Sequence, residues 1–83
     1  MKIGYVYRVN WDYSHDFPEN IFDGIIKVNK ESHVKGYFNC TIIKVIDTPN
    51  KKWYPGFNFI LTNRTKHELI LPDQYPEYYI WKK

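Results

Sequence analysis

Alanine is missing altogether from this 83-residue chain, and leucine and methionine are scarce, at three and one. Apart from lysine, the residues that favour helix are nearly gone, and no segment reads as an amphipathic helix. Cysteine occurs once, as Cys40, so no internal disulfide can form, although a small secreted domain usually needs such staples. No apolar run approaches the ~18 residues that span a bilayer, and Met1-Lys2-Ile3-Gly4-Tyr5 lacks the apolar core of a signal peptide. These absences lead us to expect a soluble protein of a reducing cytoplasm. The four glycines stand alone, which excludes G-x-x-x-x-G-K-[ST] and G-x-G-x-x-G phosphate cradles and with them a conventional nucleotide triphosphate site. The length excludes a second domain, a doubly wound nucleotide fold and a (β/α)8 barrel.

Ten Ile, five Val, four Thr and sixteen aromatic residues fill the space instead. These are strand formers. A chain of this size buries only roughly 60–65% of its unfolded surface, so large side chains must supply its core. Sixteen aromatics exceed what such a core absorbs, which leaves about five or six for a surface site or a dimer contact.

Alternation places the strands. Ile3, Tyr5, Tyr7, Val9 and Trp11 share one parity, predicting a strand over 3–11, and residues 12–20 are rich in turn formers and read as a long loop. A second strand is expected over 21–29, with Gly24 marking a bend or a close backbone approach, followed by a hairpin turn over 29–33. In the segment 34–48, Val34, Phe38, Cys40 and Ile42 share one parity while Ile43 and Val45 share the other, which predicts a β-bulge near Ile42-Ile43. Residues 48–56 form a second loop, and strands follow over 57–62 and 66–71. The tail 72–83, with Tyr78-Tyr79-Ile80-Trp81, is expected to be either a sixth, closing strand or a docking arm. The fold class is therefore all-β, as a single domain over 1–83: a small five- or six-stranded SH3-like barrel or bent antiparallel meander.

The net charge of +3 is too mild for a protein that coats nucleic acid, but its distribution is uneven. Asp12, Asp16, Glu19 and Asp23 crowd the first loop, whereas six lysines lie between Lys27 and Lys52. A two-signed surface is expected. Asp12-x-x-His15-Asp16, His33 and His67-Glu68 lack the convergent N and S ligands that zinc requires, and they read as solvated polar residues with no cofactor implied. Three scattered histidines likewise fall short of the base, acid and cation that RNA cleavage needs, which leaves a ribonuclease as a third reading only. Cys40 reads as a core residue.

What remains is aromatics interleaved with cations. Arg8, Trp11 and Tyr13 close the first strand, Lys51, Lys52, Trp53 and Tyr54 cluster in the second loop, and Arg64 stands in the next turn. A nucleobase offers a π-face to Trp or Tyr and a phosphate to Lys or Arg, and each stacked base contributes roughly 1–3 kcal/mol. The same residue types make protein hot spots. They also serve structurally, with Trp11 and Trp53 plugging the barrel ends.

The overall texture, short and rich in Ile, Lys, Asn and Tyr, without Ala and with one Cys, resembles the small accessory proteins of T4-type bacteriophages. That resemblance implies interference with a host process, either by sequestering a cyclic oligonucleotide signal, as anti-CBASS sponges do, or by masking a host protein. The expected function is a non-catalytic module that captures a nucleotide-type ligand, with Trp11, Tyr13, Trp53 and Tyr54 stacking and Arg8, Lys51, Lys52 and Arg64 pairing with phosphate. A protein–protein inhibitor using that patch or the aromatic tail is the alternative, and a homo-oligomer is a plausible setting for either.

Overall fold

Strand-forming sequence becomes strand almost throughout. The computed structural model describes residues 1–81, and in these five strands form one antiparallel sheet: β1 (Val6–Asp12), β2 (Ile21–Glu31), β3 (Tyr37–Asp47), β4 (Asn58–Thr62) and β5 (His67–Ile70). The strand order is β4-β3-β2-β1-β5, a four-stranded meander whose last strand returns to pair with β1. β4 and β5 are the two edges, so the all-β, bent-meander expectation holds with five strands.

Two boundaries moved for local reasons. β1 begins at Val6 rather than Ile3, because Lys2–Tyr5 is a turn in which the Tyr5 amide donates to the Lys2 carbonyl at 3.2 Å. The β2–β3 turn lies later than residues 29–33, at 32–36, closing at Gly36 with a φ of 87° that a side chain would strain. The tail differs in kind. Pro76–Tyr79 is one turn of helix, α1, and not a sixth strand. Pro76 favours the first helical position, since it has no N–H to lose and its φ is already fixed. Residues 82 and 83 of that tail lie outside the described residues.

The bulge is where the alternation broke. Ile26 pairs with Ile42 but Ile25 pairs with Lys44, leaving Ile43 as the extra residue on β3. Two further register shifts leave Ile46 and Asn29 unpaired, and together they bend β2 and β3. Ile42 therefore enters the inner core with Tyr7, Val9, Phe22, Ile26, Val28, Phe38, Cys40 and Leu61, while Ile43 joins Val6, Ile25 and Ile70 on the outer face. One sheet thus has two apolar faces.

Gly24 lies at the bend for a packing reason. A Cβ there would stand 2.5 Å from the Phe22 ring and 2.6 Å from the Lys44 carbonyl oxygen, too close for either to remain in place. Burial also fixes the chemistry of Cys40, whose thiol is fully enclosed and pushed up from 9.0 to about 12 by desolvation of its charged form.

Two outcomes are expected. Gly24→Ala destabilises the fold by about 1–3 kcal/mol, the usual cost of overpacking, read as a lower urea midpoint; an unchanged midpoint would show that the ring and strand yield freely. For Cys40, the native thiol stays protonated where the unfolded one ionises, so its contribution to stability is complete below pH 9 and is lost as pH rises toward about 12. Cys40→Val should flatten that alkaline decline, and native Cys40 should resist alkylation at neutral pH until denaturant is added.

Candidate functional site: an outer groove under the tail

Outward-facing positions of the sheet carry the largest concavity. A groove of about 760 Å³ runs between the outer face and the tail, with Ile25 and Ile70 as its floor and Ile46 and Tyr75 among its walls. The bulge at Ile43 and the shift at Ile46 put these side chains there, since an unbulged β3 would keep strict alternation. Tyr75 and Tyr78 stack at 5.4 Å with an interplanar angle of 19°, forming an aromatic wall.

The tail is anchored through one side chain. The Tyr79 hydroxyl donates to the Ile70 carbonyl and accepts from the Val6 amide at 3.2 Å, bridging β1 and β5 beyond their last paired residues. Its ring meets Tyr5 edge-on at 6.3 Å, and Tyr78, Tyr79 and Trp81 pack on the outer apolar cluster. The arm thus docks on its own sheet.

Charge in the groove is balanced. Arg8 holds Asp23 in a two-point ion pair, Nε to Oδ1 at 3.1 Å and Nη2 to Oδ2 at 2.8 Å, and lies directly opposite Glu68 on β5. The hydrogen bond and charge of Asp23, and then the charge of Glu68, raise the guanidinium further above its ordinary value. Lys44 supplies a second cation, in no ion pair among the described residues.

The eight residues singled out from sequence are divided. Trp11 and Trp53 do come together, their rings 5.3 Å apart and edge-on, but Trp11 also stacks on Phe22 at 4.8 Å and Trp53 meets Phe22 edge-on at 5.6 Å. The Trp11 indole N–H is satisfied by Asn20 Oδ1 at 2.7 Å. Both tryptophans are half-buried plugs of the inner core. Lys51, Lys52 and Tyr54 are exposed in the loop that carries Trp53, and Tyr13 is exposed in the loop that follows Trp11. That first loop is well tied: the Ser14 hydroxyl and amide donate to Asp12, and these bonds hold its carboxyl below its usual range.

Arg8 and Arg64 stand apart from that rim. Arg8 is three residues from Trp11, an odd spacing that turns it to the opposite face of the strand. Arg64 lies beside Lys35 and Tyr37, where the Asn63 amide donates to the Gly36 carbonyl at 2.9 Å, at the far end of β2 from the tryptophans. The histidines are equally dispersed, with His15 in the first loop, His33 in the β2–β3 turn and His67 against Tyr7 at the start of β5.

The outer groove was not found from sequence, yet its signal was present. Val6, Ile25 and Ile43 sit at the minority parity of their strands, and apolar residues there imply a cover. No protein-family model matches the chain, and no curated protein or solved structure is detectably similar to it.

Removing the Tyr79 hydroxyl tests the anchor. Tyr79→Phe leaves a carbonyl and an amide without their partner, at a cost of about 1–3 kcal/mol. Hydrogen exchange of the Val6 amide should accelerate in step with the drop in stability, whereas unchanged protection would mean that the rings alone hold the tail.

Proposed function

We propose that this protein is a non-catalytic binding module that grips a segment of another protein in the groove between the outer sheet face and α1. The observation that carries this reading is one groove combining an apolar floor, a stacked tyrosine pair and charges of both signs. A polyanion entering it would meet Glu68 and Asp23, with Arg8 already shared between them. A peptide with apolar anchors and mixed charge meets a complement to each part, and Tyr and Arg are the residue types over-represented among protein hot spots. The groove also falls within the ~300–1,000 Å³ common for binding sites.

The nucleotide-type ligand is the second reading, favoured by the exposed Tyr13, Lys51, Lys52 and Tyr54 around the tryptophan plug. Stacking there falls to the two tyrosines, because Trp11 and Trp53 are engaged with each other and with Phe22. Both readings accord with the resemblance to accessory proteins of T4-type phages. The first corresponds to masking a host protein, the second to sequestering a cyclic oligonucleotide.

Selection of a random peptide library on the immobilised protein separates them. The groove reading expects peptides with an apolar centre flanked by both charge signs, shifting the amide resonances of Lys44, Ile46 and Tyr75. Ile46→Asp at the exposed wall should weaken their binding about tenfold or more, the effect of losing a central anchor. If no peptide is enriched while cyclic di- or trinucleotides raise the melting temperature, and Lys51→Glu with Lys52→Glu removes that rise, the groove reading is wrong and the rim is the site.

A further inference from the structure

The two edges of the sheet are built differently. β5 has the usual protection: it is four residues long, begins with His67-Glu68 and is followed by Pro72. β4, Asn58-Phe59-Ile60-Leu61-Thr62, has neither a charge nor a proline, and it is the one strand of the five without an ionisable side chain. Its pairing with β3 runs without a register shift, so the edge is regular, and β3 is its only strand neighbour among the described residues. Ile60, at its centre, is 55% exposed.

We infer that the free edge of β4 pairs antiparallel with the same edge of a second copy of this chain. The sequence of β4 is self-complementary about Ile60. Antiparallel pairing centred there sets Ile60 against Ile60 of the copy, Phe59 against Leu61 and Asn58 against Thr62, so apolar meets apolar and polar meets polar at every position. The alternation is also preserved, because Phe59 and Leu61 face the inner core and Ile60 faces outward in both copies. An uncharged edge carries no repulsion against itself, as a two-fold contact demands, since each residue then meets its own kind or its mirror position.

A side-chain ladder keeps the outer side of β4 in place for this pairing. Asn29 Nδ2 donates to Thr41 Oγ1 at 2.7 Å, and Thr41 Oγ1 donates to Asn58 Oδ1 at 2.5 Å, tying β2, β3 and β4 together. Five residues of strand bury far less than the roughly 1,200–2,000 Å² of a standard stable interface, so the dimer forms in the micromolar range and exchanges. It extends the sheet to ten strands and leaves the outer groove, which lies over β1, β2, β3 and β5, open in both copies.

Sedimentation across the micromolar range tests the association. The wild type should pass from monomer to dimer, and Ile60→Lys, which sets two ammonium groups opposite each other at an exposed position, should remain a monomer with an unchanged circular dichroism spectrum. A wild type that stays monomeric throughout, or a dimer that Ile60→Lys leaves intact, overturns the inference. Cross-linking tests the register and does not depend on Ile60→Lys folding. Directly opposed residues lie within bridging range of a disulfide, so Ile60→Cys should oxidise to a covalent dimer while Asn58→Cys, facing Thr62, should not. Equal cross-linking of the two, or none from Ile60→Cys, is the opposing result.

Discussion

β3 carries adjacent isoleucines that the fold sends in opposite directions, and most of the structure depends on that local break. A strand with strict alternation gives a sheet one apolar face and one polar face. The extra residue at Ile43 lets Ile42 close the inner core while Ile43 adds to an outer cluster with Val6, Ile25 and Ile70. Gly24 on the neighbouring strand completes the bend, since only a residue without Cβ lets the Phe22 ring and the Lys44 carbonyl approach as closely as they do. The outer cluster then needs a cover, and the C-terminal tail provides it. The groove is the part of the outer face that the short helix does not reach.

The distribution of aromatics follows from the same division. Phe22 lies at the centre of one cluster, with Trp11 stacked on it and Trp53 edge-on, a geometry in which the positive ring edge meets the negative ring face. Tyrosines are used where one end must be polar. Tyr7 is buried in the inner core and accepts from the Lys2 amide at 2.7 Å through its hydroxyl, and Tyr79 uses its hydroxyl to tie two strands together. Arg8 shows the corresponding economy among charges. Its outward position between Asp23 and Glu68 satisfies a guanidinium that would otherwise point at an apolar groove, and it leaves the groove close to neutral.

Much of the fold was legible because period-two alternation is a direct consequence of strand geometry, and the break in it at Ile42-Ile43 announced the bulge. The tail was not legible in the same way. Tyr78-Tyr79-Ile80-Trp81 has strong strand propensity, but Pro76 and the docking of Tyr79 onto the Val6 amide and Ile70 carbonyl decide its conformation, and the second of these is a contact across 73 residues of chain. Trp11 and Trp53 illustrate a related limit. Their residue types and loop positions suited either a stacking platform or a core plug, and only the arrival of Phe22 between them, fixed by the pairing of Trp11 with Phe22 across β1 and β2, separates the two roles. Arg8 was separable from Trp11 in sequence, by parity alone.

The groove and the β4 edge use different parts of one sheet, and this separation has a functional consequence. Docking of the tail commits the outer face of β1, β2 and β5, leaving β4 untouched at the opposite margin. An assembly joined through β4 therefore carries two grooves on one continuous sheet, related by the two-fold axis at Ile60. Weak gripping at each groove becomes firm when both engage the same partner, because the second contact forms at the effective concentration set by the first. A domain of this size cannot bury enough surface at a single groove to hold a large partner tightly. Pairing two copies through an uncharged edge supplies the missing contact without enlarging the chain.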